Sequence, residues 1–129
     1  MLRYRTVPSG EDAVAEMVSK SPEQASADMQ RIAPLAGADG LAAMRLVRAR
    51  ADDFGADPAR VGFLGFSAGG AVTMTVALGY DEATRPAFVA PIYAGAGRWN
   101  DQAVPDDAPP MFLVAASDDQ LGLARDSVA

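Results

Sequence analysis

Three short apolar runs, each bounded by turn-forming residues, predict the strands of this protein. They are VGFLGF (61–66), AFVAPIYAG (87–95) and MFLVAA (111–116). A continuous apolar run, unlike an alternating one, is typical of a strand that is covered on both faces of its sheet. A fourth segment, LRYRTV (2–7), has β-compatible composition and ends at a Pro-Ser-Gly turn, which predicts one more strand near the start of the chain.

Helical patterns fill the segments before and after the first of these runs. Residues 39–55 place apolar side chains on one stripe and charged ones opposite, with Asp39 suited to the N-cap and Gly55 to the C-terminal stop. Residues 68–79, AGGAVTMTVALG, are apolar nearly throughout and end on a glycine, which predicts a buried helix.

The segment before these elements is different in character. Residues 9–38 are polar and Ala-rich, and they predict two short helices, one ending at the Ser21-Pro22 pair and one limited by Pro34 and Gly37. We interpret this segment as a possible helical insertion at the surface of a single domain that spans 1–129.

Strand, helix, strand and strand, joined by connections of crossover length, indicate an α/β protein with a mostly parallel sheet. Because parallel strands need helices on both faces, the fold class that we predict is a three-layer sandwich.

Composition excludes several classes of function. The chain carries 17 acidic against 11 basic residues, a formal net charge of −6, and no basic cluster, so nucleic acid and anionic membranes are poor partners. It has neither cysteine nor histidine, which argues against a transition-metal site; the sequence carries no signal for a cofactor. No apolar stretch approaches the roughly 20 residues of a membrane span, no secretory leader is visible, and a cytoplasmic location is compatible with these features.

The candidate chemistry lies at the end of the first apolar run. Gly65-Phe66-Ser67-Ala68-Gly69 fits the G-x-S-x-G pattern, in which a strained strand-to-helix turn exposes the serine hydroxyl. Gly65 and Gly69 are small because strand and helix pass close together there, and the backbone N–H of Ala68 is suited to hold an oxyanion. The alternative is a Gly-rich turn in which Ser67 caps the helix with its side chain.

Carboxylates follow the third apolar run, where functional groups of open α/β sheets gather. Asp118 and Asp119 come after the serine in the chain, which is the order Ser, Asp, His of one class of hydrolase. An ordinary acidic turn is the alternative. Tyr93 and Trp99, near strand ends, are candidates for lining a pocket, although packing in the core or a loop is the commoner use.

At these residues the chain resembles the α/β-hydrolase superfamily, and within it the microbial esterases and acetylxylan-esterase-like hydrolases. The resemblance runs through RLVRARADDFGADPARVGFLGFSAGGAVTMTVAL, PIYAG and PPMFLVAASDD. It implies a serine carboxylic ester hydrolase, with Ser67 as the nucleophile, the Ala68 N–H in the oxyanion hole and Asp119, rather than Asp118, as the acid. Small acyl esters, such as acetyl groups on sugars, are the implied substrates.

The sequence also departs from that family. The His-Gly-Gly-Gly segment that supplies a second oxyanion donor and the catalytic histidine are both missing, so the chain resembles the central portion of a hydrolase that is truncated at both ends. Three hypotheses follow: a catalytically incomplete fragment of a serine esterase, a short protein completed as a homo-oligomer through exposed sheet edges, and a non-catalytic binding module.

Overall fold

The computed structural model describes residues 1–95, 99, 101–118 and 124. Within these residues, five helices and strands have described bounds: α1 (Ala13–Ser19), α2 (Pro22–Ala49), β1 (Phe63–Phe66), α3 (Ala68–Gly79) and β2 (Val89–Ile92). Two 3₁₀ turns, Ala51–Phe54 and Pro58–Arg60, lead from α2 into β1. None of the described helices is both long and apolar enough to cross a bilayer.

The sheet is parallel, as the strand-helix-strand order predicts. Phe63 lies opposite Val89, and the register continues to Phe66 opposite Ile92. The third apolar run joins the far side of β2 through two parallel bridges, Val89 with Met111 and Ile92 with Val114. The α/β class with a parallel sheet is therefore confirmed. The third apolar run, predicted as a strand, pairs with β2 only at these two single bridges.

Helix α2 corrects the prediction for the segment before the sheet. It starts where expected, because the Ser21 side chain accepts from the Gln24 N–H while the Gln24 side chain accepts from the Ser21 N–H. It does not stop at Pro34 or Gly37 but runs for 28 residues. Packing of α2 against α3 accounts for a helical Gly37. A Cβ at this position would lie 2.5 Å from Cγ2 of Thr75 in α3, so the glycine lets the two helices approach closely even though its helix propensity is low.

Three further expectations were wrong: the strand at 2–7, the N-cap at Asp39 and the α-helix stop at Gly55. Residues 2–7 form no strand; instead the Arg5 guanidinium donates to Asp39 at 2.6 Å and the Arg5 N–H donates to the same carboxylate at 2.8 Å. Asp39 therefore lies inside α2 and binds the N-terminal segment, instead of capping a helix. Gly55, at φ 61°, ends the 3₁₀ turn that follows α2 and not an α-helix.

The helices cover one face of the sheet. Phe63 and Gly65 face them: the Phe63 ring lies 3.5 Å from a Cβ built on Gly40 of α2, and Val76 and Val89 are fully buried between the layers. On the opposite face, Leu64 and Phe66 remain 54% exposed. We expected helices to bury both faces of the sheet, but the described part of the chain covers only one. The third layer of the sandwich stays a prediction.

Candidate active site

Ser67 forms the turn between β1 and α3. Its backbone has φ 51° and ψ −117°, a conformation that a residue with a Cβ adopts only under strain. The sequence predicts such a strained turn at this serine, and the structure has it. The side chain is exposed at the carboxyl end of the strand.

Two glycines make this turn possible. A Cβ at Gly65 would collide with the Gly69 carbonyl and lie 2.7 Å from Oγ1 of Thr73, so the strand needs a glycine here. A Cβ at Gly70 would lie 2.8 Å from Cβ of Ala94, because α3 packs directly on the chain leaving β2. Gly69 itself has room for a side chain; Gly70, rather than Gly69, is the second glycine that close packing requires.

The backbone of Ser67 is fixed on both sides. Its N–H donates to the Ile92 carbonyl at 3.0 Å, and its carbonyl accepts from the Ala71 N–H at 3.1 Å. Among the described residues, no N–H of the first turn of α3 donates to the Ser67 hydroxyl. The alternative in which this serine caps the helix with its side chain is therefore not what the structure shows.

The N-terminus of α3 provides a favourable environment for negative charge. The first N–H groups of a helix have no acceptor within the helix, and the helix dipole adds partial positive charge there. No acidic residue lies in the first turn of α3, so nothing in that turn opposes an anion. Ala68 is the first residue of α3 and directly follows Ser67. Its N–H is therefore the first of these donors along the helix.

The structure describes one of the two candidate acids. Asp118 is exposed in a turn that follows the bridge at Val114, whereas Asp119 lies outside the described residues. Because β2 separates β1 from this third segment and neighbouring strands are about 4.8 Å apart, the two strand ends are about 10 Å apart. The role of Asp119, or of Asp118, as the acid therefore stays a prediction.

The two aromatic candidates have different positions. Trp99 is buried, in one cluster with Met74 of α3 and Ala94, which confirms the prediction that it packs in the core. Tyr93 is 41% exposed directly after β2, at φ 39°, and its ring centroid is 6.0 Å from that of Phe66. Sequence reasoning missed this strained backbone beside the serine turn. The only related signal was an aromatic residue at a strand end.

Within the described ranges, no cluster of three or more carboxylates could hold a metal ion.

A family model for the α/β hydrolase fold matches residues 13–126. The match includes most of the 9–38 segment that we interpreted as an insertion. Neither a curated protein nor a solved structure matches the sequence.

Proposed function

Because the chain belongs to the α/β hydrolase fold family, we propose that it hydrolyses carboxylic esters through an acyl-enzyme on Ser67. The observation that carries this proposal is the backbone of that serine: strained at φ 51°, exposed, and at the start of α3. Such strain persists only where the surrounding structure holds it, and it gathers at functional sites. Small acyl esters are the substrates that the resemblance implies.

The reaction would proceed in two steps. The Ser67 oxygen attacks the ester carbonyl carbon, and the oxyanion that forms accepts a hydrogen bond from the Ala68 N–H. Collapse of this intermediate breaks the bond to the alcohol, which leaves with the proton that the serine hydroxyl gave up. A water molecule then attacks the acyl-enzyme, so that the acid is released and the hydroxyl of Ser67 is restored.

The missing base limits the rate. The chain contains no histidine, and a serine hydroxyl is a weak nucleophile unless a base takes its proton. An aspartate at its ordinary pKa of about 3.9 is a poor substitute at neutral pH. Loss of triad members still leaves about three powers of ten of rate enhancement over water, from the oxyanion hole and substrate binding. We therefore expect slow turnover by this chain.

The same absence of histidine favours a second candidate function. In this alternative, the fold keeps the shape of a hydrolase turn but serves as a binding module without turnover. The two functions differ in whether Ser67 forms a bond to an acyl group or its analogue.

The test compares hydrolysis of p-nitrophenyl acetate by the wild type, Ser67→Ala and Ser26→Ala. Ser26 is an exposed serine of α2, so its variant is a matched control. The esterase predicts a rate that falls to background in Ser67→Ala alone, and covalent labelling of Ser67 by a p-nitrophenyl phosphonate. Equal rates in all three proteins, without labelling, would contradict it and favour the binding module.

A further inference from the structure

A cavity of about 590 Å³ lies beside the serine turn, enclosed by the N-terminal segment, α1, α2 and α3. Its volume falls within the range of small-molecule sites, about 300 to 1,000 Å³. Every residue that lines it belongs to the described part of the chain, between residues 4 and 75. Much of its wall comes from the 9–38 segment, to which the sequence assigned no role.

The walls are largely apolar. Ile32 and Ala36 on α2 and Val72 on α3 line the cavity, and Ala36 and Val72, both 5% exposed, form its floor. Met17 and Met29 also line it and are largely exposed, which places them at its mouth. Methionine side chains adapt to apolar ligands of different shape because they are flexible and polarizable.

The charged side chains at the rim are already paired with protein groups. Arg5 binds Asp39 at 2.6 Å, and Lys20 donates to Asp28 at 2.5 Å. The Glu16 carboxylate accepts from the Gly10 N–H at 2.8 Å. A charged ligand would have to compete with these pairs, whereas a neutral hydrocarbon leaves them intact. The cavity therefore favours a neutral apolar occupant.

The cavity extends to the serine turn. Ala68 lines it, and this residue directly follows Ser67 and carries the proposed oxyanion donor. Tyr4 lines the same end: its hydroxyl lies 3.8 Å from a Cβ built on Gly69. An ester whose carbonyl oxygen accepts from the Ala68 N–H thus binds at a residue that also lines the apolar cavity.

We propose that this cavity receives the hydrocarbon chain of the acyl group of the substrate. This inference rests on the proposed ester hydrolysis and refines its substrate class: neutral esters whose acyl chain extends beyond acetyl. Burial of each additional methylene group strengthens binding by about fourfold. The preference should rise with chain length until the cavity is full.

The experiment compares two substitutions on α2. Ala33→Phe places a ring in the cavity, whereas Ala27→Phe adds the same ring at an exposed position outside it. Binding of the neutral dye N-phenyl-1-naphthylamine is followed by fluorescence, and kcat/KM is measured for p-nitrophenyl acetate and p-nitrophenyl hexanoate. We expect Ala33→Phe to weaken dye binding at least tenfold and to abolish the preference for hexanoate. Ala27→Phe should behave as the wild type.

The outcomes separate this inference from the proposed function. Equal dye affinity in the wild type and Ala33→Phe overturns the cavity as a ligand site, and an unchanged hexanoate preference overturns its assignment to the acyl chain. Hydrolysis that persists in Ser67→Ala contradicts the proposed function alone, because dye binding does not depend on that hydroxyl. If Ala33→Phe does not fold, Ala25→Phe, at an exposed position of the cavity wall, takes its place.

Discussion

The strained serine leads to a prediction about stability: Ser67→Gly should make the protein more stable. A residue with a Cβ in a sparsely populated backbone conformation costs about 1 to 3 kcal/mol, and Ser67 has φ 51° and ψ −117°. Glycine removes that cost, but it loses about 0.5 to 1 kcal/mol through the greater freedom of the unfolded chain. The net gain is about 1 kcal/mol in the free energy of unfolding.

Ser67→Ala separates strain from chemistry. Alanine keeps the Cβ and therefore the strain, and no first-turn N–H of α3 in the described structure loses a partner when the hydroxyl is removed. Its free energy of unfolding should remain within about 0.5 kcal/mol of the wild type, as for a surface substitution. Both variants should lack the Ser67-dependent hydrolysis, so the glycine variant would exchange activity for stability.

Urea denaturation of the three proteins measures these differences. With m-values of about 1 to 3 kcal/mol/M, a gain of about 1 kcal/mol raises the midpoint by about 0.3 to 1 M. Ser26→Gly, at an exposed position of α2, should instead lower stability by about 0.5 kcal/mol. The strain argument would be refuted if Ser67→Gly destabilised the protein as much as Ser26→Gly does.

Three more predictions concern the turn, the N-terminal segment and the base. Gly65→Ala should cost about 1 to 3 kcal/mol through overpacking, whereas Gly79→Ala, whose Cβ meets nothing within 4 Å, should cost nothing; thermal unfolding compares them. Hydrogen bonds from Arg5 hold the pKa of Asp39 below its ordinary value, so Asp39→Asn should destabilise at pH 7. The two proteins should converge as pH falls below the ordinary aspartate pKa of about 3.9; a pH-independent difference in urea midpoints would contradict this. Added imidazole should accelerate hydrolysis by the wild type more than by a Ser67→Ala variant, because it can act as the base; parallel slopes against imidazole concentration would exclude that role.

The serine turn could be predicted from sequence because its determinants are local. Glycine at Gly65, the apolar run before it and the helix at 68–79 are close in the chain, and the structure has α3 at those bounds. A strained turn of this kind needs only a strand, a small residue and a helix in succession. The parallel pairing of β1 with β2 followed equally from connection length.

Helix α2 and the segment 2–7 could not be predicted in the same way. Proline and glycine inside a helical pattern favour a break by local propensity, yet Gly37 is required for contact with Thr75, which is far along the chain. Likewise, Arg5 and Asp39 are 34 residues apart, and no local pattern connects them. The cavity wall depends on the same long-range packing, so no local pattern along the chain predicts it.

The uncovered face of the sheet affects how all of these experiments should be run. Leu64, Phe66 and Phe112 present apolar side chains to water on that face, and apolar patches of this kind promote association. Rates and midpoints should therefore vary with protein concentration, since association stabilises the associated form by mass action. Each assay needs a dilution series, and a value extrapolated to low concentration is the one that describes a single chain.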